Sequence, residues 1–178
     1  MQVFNLEASQ KKLNDTMKLA ATYRGEYINE VAILEYLMEE IIVCYFTSGH
    51  KQKSLELIHA YFGSVACNFN TKRNLVIFIA EKYSEFKNIY TKMDAALQDI
   101  AAFRNIIAHQ KLVLTPKVWN AFDNNTVFFS DTTTKDRKVI ENQKKVNRAI
   151  LDKEINKIKF TSNKCMELHR LIVEKLKT

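Results

Sequence analysis

Glycine and proline are nearly missing from this chain, at three and one in 178 residues. Both interrupt regular structure, and glycine supplies the left-handed backbone that β-rich folds need at their turns. Their scarcity argues against a turn-dense sandwich or barrel and points to long helices, hence an all-α chain. Cysteine is scarce too. Cys44, Cys67 and Cys165 are odd in number and share no CxxC spacing, so they read as buried free thiols in a reducing cytoplasm. Four scattered histidines form no cluster with them, and neither a metal nor a cofactor is expected. No run approaches the ~18 apolar residues of a membrane span, and the opening MQVFNLEASQKK holds no secretion-signal core. The expectation is a cytoplasmic chain with no membrane partner.

Positive charge is present in excess, and it is unevenly placed. Residues 135–178 hold 13 Lys/Arg against 6 Asp/Glu, while residues 1–134 hold 14 of each, so the whole +7 is C-terminal. Clustered cations neutralise phosphates and release counterions, which makes RNA a fitting partner. A solvated helix face explains the same charge without any partner.

Hydrophobic spacing sets out the elements. In EYINEVAILEYLMEEIIVCYF (26–46), apolar positions 27, 28, 31, 34, 37, 38, 41, 42, 45 and 46 recur at three and four, with glutamates between. Gly25 is expected to start this helix and Thr47-Ser48-Gly49 to end it, after a more polar helix over 8–22. A short helix over 53–64 should stop near Gly63, and another should span 71–84 with Thr71 as its N-cap. Phe86, Ile89, Met93, Ala96, Ile100, Phe103 and Ile107 then form the clearest heptad, over 85–109. Beyond it, Pro116 and Asp123-Asn124-Asn125 break the pattern. Residues 111–140 read as a loop-rich excursion or small hairpin, with strands near 111–115 and 126–130. A basic lead-in over 141–150, helix-compatible, precedes a closing helix over 151–176. In that helix Leu151, Ile155, Ile158, Cys165, Leu168, Ile172 and Leu176 face inward. Nothing suggests a second domain within 1–178.

The heptad ends in IAAFRNIIAHQ (100–110). With Ile100, Phe103 and Ile107 on the core seam, Asn105 and His109 project from the opposite face, one turn apart. Arg104 lies beside the seam, roughly 140° from His109 on an ideal helix. A site joining all three therefore needs the arginine to swing round, the helix end to distort, or a second chain to contribute. Basic residues at a helix C-terminus also serve simply to offset the macrodipole and cap carbonyls. Arg73-Asn74 repeats the dipeptide with no histidine at suitable spacing, so the dipeptide alone carries nothing.

The hexapeptide R-N-I-I-A-H, closing a long helix of a helical chain, resembles the R-N-x-x-A-H form of the Arg-x(4–6)-His signature of the HEPN superfamily. YINEVAILEYLMEEIIVCYF is similar to the first long helix of such domains, FNTKRNLVIFI to the helix before the motif, and the basic last helix to the one that closes the bundle. The similarity covers about residues 24–176, mostly as pattern; only the hexapeptide is specific. It implies an antiparallel helical bundle and metal-independent RNA cleavage at a composite site shared by a homodimer, through the face carrying Arg104 and His109. Arg104, Asn105 and His109 would be the site residues. The chemistry suits them. Imidazole ordinarily titrates near neutrality and can move the protons of a ribose 2′-OH attack. A guanidinium can fork onto the phosphate, and Asn105 would position its neighbours. Roles in bacterial stress or anti-phage defence, and an unidentified regulatory protein, follow from the family alone. One toxin branch carries a tyrosine two positions after the histidine. Here that position is Lys111, which argues against that branch and its mode of regulation.

Other groups carry less. His50 and His59 have no nearby nucleophile, and His169 sits beside Arg170 on a helix. Glu35, Glu39 and Glu40 lack the Glu-x-x-His partners of a bundle metal site. Trp119, Phe122, Phe128 and Phe129 could stack bases, although aromatics in irregular segments more often anchor them. The competing functional reading is a non-catalytic HEPN-like module that binds RNA or protein.

Overall fold

One buried stripe governs the first fifty residues. Thr16, Ala20, Tyr23, Tyr27, Val31, Leu34, Met38 and Ile41 are all buried, and their steps of three and four never lose register. The computed structural model describes residues 6–62, 67–114, 125–135 and 138–177. In it a single helix, α1, spans Leu6–Thr47. The expected break at Gly25 does not occur, because a glycine within a helix costs only about 1 kcal/mol and the stripe on both sides outweighs it. The end falls where expected: Ser48 and Gly49 take φ values of 51° and 72°, the left-handed turn that stops a helix.

The remaining helices follow the apolar spacing with shifted ends. Helix α2 spans Lys51–Leu57 and continues as a π-helical turn over Ile58–Phe62; Gly63 lies outside the described residues. Helix α3 spans Phe69–Ala80. Its N-cap is Asn68, not Thr71: the Asn68 side chain accepts from the Thr71 backbone N–H at 3.1 Å. The heptad segment begins as a 3-10 turn over Ser84–Phe86, and only Tyr90–His109 forms the helix, α4. Phe86, Met93, Ile100, Phe103 and Ile107 are buried as expected, and Leu97 joins them.

After α4 the chain makes a three-stranded antiparallel sheet in the order β1-β2-β3. Strand β1 is Lys111–Leu112, β2 is Thr126–Lys135 and β3 is Lys138–Asn147. The pairing expected between 111–115 and 126–130 is present only at Lys111–Leu112; the main ribbon joins β2 to β3 instead, so the helix-compatible lead-in over 141–150 is a strand up to Asn147. Lys, Glu, Asn and Gln outnumber Val139, Ile140 and Val146 in KVIENQKKVN, so its own β propensity is weak. Its conformation comes from pairing with the β-branched and aromatic β2, residue by residue from Thr126↔Asn147 to Lys135↔Lys138. Pro116, Trp119, Phe122, Asp123 and Asn124 lie outside the described residues. Asn147 ends β3 and at once caps the last helix, α5 (Arg148–Lys175), accepting from the Ile150 N–H at 2.9 Å. Leu151, Ile155, Ile158, Cys165, Leu168 and Ile172 are buried on α5, but Leu176, beyond its end, is 43% exposed. The fold is mostly helical with a small sheet.

The chain divides into two compact units, Met1–Ile28 with Phe103–Glu154 and Asn29–Ala102 with Ile155–Thr178. The first has Ala20, Tyr23, Tyr27, Phe103, Ile107, Val127, Phe129 and Val146 among its buried residues. Within it the Tyr27 and Phe103 rings meet edge-on at 4.9 Å. The second holds a buried cation. Lys72 Nζ lies 2.9 Å from Glu35 and 2.6 Å from Glu39, with its side chain 7% exposed. Cys67 and Cys165 are buried and Cys44 is half-buried; burial pushes the Cys165 thiol up to about 12. No helix among the described residues is long and apolar enough to cross a membrane.

Two outcomes follow. A Cβ added at Gly25 meets nothing within 4 Å, so Gly25→Ala should raise stability by about 0.5–1 kcal/mol in urea denaturation. Burial alone would lower the Lys72 ammonium from its ordinary 10.5, but hydrogen bonds and attraction to Glu39 and Glu35 outweigh it and the net shift is upward. A raised lysine contributes stability that is full below its unfolded value and is lost as pH rises through the folded one. Lys72→Met should therefore cost about 3 kcal/mol at neutral pH, with the gap to wild type narrowing as pH rises past the lysine's ordinary value of 10.5 in denaturation curves.

Candidate functional site

The last turn of α4 would ordinarily leave its final carbonyls without partners. Here α1 supplies a partner for one of them and for the residue that follows the helix. Arg24 Nε donates to the Ile107 carbonyl at 2.8 Å and its Nη2 to the Gln110 carbonyl at 2.7 Å. The same guanidinium lies 5.0 Å above the centre of the Phe129 ring on β2, a cation–π distance. One planar fork thus ties together α1, the end of α4 and the sheet. Next to it on α1, the Tyr23 hydroxyl donates to the Asn125 carbonyl at 2.9 Å, fixing the entry to β2.

On this braced helix end the motif residues divide. Asn105 and His109 are exposed and lie four residues apart, about 40° round the helix and about 6 Å along it. They form one outward-facing polar pair, as the heptad predicts. Arg104 is half-buried and already holds a partner of its own; its Cα is about 140° round from His109. The helix alone therefore brings together Asn105 and His109 and leaves Arg104 on another side. His109, the last residue of α4, is the basic residue of its final turn. Of the carbonyls there, that of Ile107 is served by Arg24 rather than by the histidine.

Comparison with protein-family models, with curated proteins and with solved structures found no match. The chemistry must be read from the residues.

Several other candidates have structural roles. His50 is the N-cap of α2, its Nδ1 accepting from the Lys53 N–H at 3.5 Å. Glu35 and Glu39 are engaged by Lys72. The Arg73-Asn74 decoy has its arginine bound to Asp94 at 2.7 Å. Among the described residues, no group of three His, Cys, Asp or Glu side chains could hold a metal ion. Phe129 is fully buried beneath Arg24 and cannot stack a base, whereas Phe128, its neighbour on β2, is partly exposed.

Arg24 is the residue that sequence reasoning missed. It stands between Tyr23 and Tyr27 of the buried stripe, just before the glycine that drew a helix boundary to itself. A charged side chain so close to a core stripe was the available signal. Arg24→Ala should cost about 1–3 kcal/mol by leaving two backbone acceptors without a donor. Arg24→Lys keeps the charge but not the fork and should recover only part of it, as urea denaturation of the three proteins would show.

Proposed function

We propose that the protein is a HEPN-type endoribonuclease that cleaves RNA without a metal and works as a homodimer. The observation that carries this reading is the exposed Asn105–His109 pair on a helix end that Arg24 braces through the Ile107 and Gln110 carbonyls. An outward-facing polar pair inside an R-N-x-x-A-H hexapeptide is the arrangement a shared site needs. Two copies facing each other across this surface would supply two imidazoles. One His109 takes the proton from the ribose 2′-OH as that oxygen attacks the adjacent phosphorus. The other gives a proton to the departing 5′-oxygen, so the products are a 2′,3′-cyclic phosphate and a 5′-OH. Arg104 neutralises charge developing on the non-bridging phosphate oxygens, and Asn105 holds the phosphate or the histidine in place. Because Arg104 lies round the helix from His109, each arginine serves best with the histidine of the second copy.

Purified protein incubated with single-stranded RNA in EDTA should cut it, and His109→Ala should lower the rate by about 100-fold or more. Because His109 is exposed, its unfolding midpoint should be unchanged. Sedimentation at micromolar concentration should give a dimer. Intact RNA with wild type, equal cutting by the variant, or a monomer would each overturn the composite site. RNA binding that persists without cleavage would favour the non-catalytic module.

A further inference from the structure

The two faces of the sheet differ in chemistry. Alternation along β2 and β3 places Val127, Phe129 and Val146 on one side, and all three are 0–1% exposed. On the other side the register sets Lys111, Ser130 and Gln143 in one row across the three strands, and Phe128 opposite Lys145 in the next. Lys111, Gln143 and Lys145 are exposed, and Phe128 and Ser130 are partly so. The strand spacing puts Lys111 and Lys145 about 12 Å apart at Cα, with Phe128 on the strand between them. Among the described residues, neither lysine is held by a carboxylate. On this face the nearest acidic position in the register is Glu141, opposite Thr132; Asp131, one row from Ser130, alternates to the other face.

Two exposed lysines flanking a partly exposed aromatic ring match the alternation of phosphate and base in a single strand. Lysines neutralise phosphates, and an aromatic face stacks any base without reading its sequence. The surface also begins beside the motif. Lys111 follows His109 by two residues, so their Cα atoms are no more than about 7 Å apart, and Arg24 fixes the joint between them through the Gln110 carbonyl.

We propose that this outer sheet face, built on Lys111, Phe128 and Lys145, seats the single-stranded RNA that flanks the scissile phosphate. The proposal rests on the nuclease reading for its substrate, but it is a binding surface and is tested as one. The probe is a short fluorescent oligouridine carrying 2′-O-methyl groups, which cannot be cleaved, read by anisotropy across a salt series. The double variant Lys111→Ala/Lys145→Ala should bind about 10-fold more weakly and flatten the salt dependence by about 1.4 in slope, about 0.7 for each phosphate left without its lysine. Phe128→Leu should bind about 5-fold more weakly or worse with the slope unchanged. Phe128→Tyr, which keeps the ring, should bind like wild type. Circular dichroism melts identify any variant whose loss comes from unfolding, and the lysine pair, being exposed, tests the surface whatever happens at Phe128. No binding by wild type, or unchanged affinity and slope in the double variant, overturns the proposal. Cleavage of unmodified RNA, measured separately, distinguishes the two claims. Variants that lose binding while wild type cuts nothing would keep the surface and remove the nuclease. Unchanged binding beside His109-dependent cutting would do the reverse.

Discussion

The fork of Arg24 is the interaction on which the candidate site depends. A helix that ends at a working residue faces a conflict, because its final carbonyls need donors and the residues nearest to supply them are those meant for chemistry. Here the donors come from another helix. Arg24 binds the carbonyls of Ile107 and Gln110 and rests on the Phe129 ring, so the backbone around His109 is held from behind. Its charge sits at the negative end of the α4 dipole, where a cation is favoured. Lysine could supply the charge but not two hydrogen bonds in one plane together with a flat contact on an aromatic ring.

Much of the helical layout was legible in the spacing of apolar residues. The Tyr27–Ile42 stripe, the Phe86–Ile107 seam and the inner face of α5 are all patterns of three and four, and burial follows them at most positions; Ile89 and Ala96 are only part-buried, and Phe46 is 52% exposed. The errors share a cause. Gly25 and Thr71 look like local punctuation, yet helix boundaries answer to the total. A continuous buried stripe overrides the glycine, and a better acceptor at Asn68 displaces the threonine. Strand β3 was illegible because its conformation is imposed by its partner: KVIENQKKVN has the residues of a solvated helix and becomes extended only against β2.

The site was legible in part for the same reason. That Asn105 and His109 face outward follows from the seam, which is a local pattern. That Arg24, more than eighty residues away in sequence, secures the end of their helix is a long-range contact with no periodic signature. The side of the sheet that carries Phe128 was equally hidden, since telling Phe128 from Phe129 requires the pairing with β3. Adjacent phenylalanines have opposite fates here, one sealed under a guanidinium and one left partly open to solvent.

Asn147 has a mechanical consequence. It is the last residue of β3 and the cap of α5, so ribbon and helix are joined with no intervening loop. A loop would act as a slack cable and let the ribbon swing freely. This joint behaves more like a welded bracket: bending the ribbon at its base must either unseat the cap or torque the first turn of α5. The base of the ribbon is therefore tied to the first turn of α5 both through the backbone and through the Asn147 side chain.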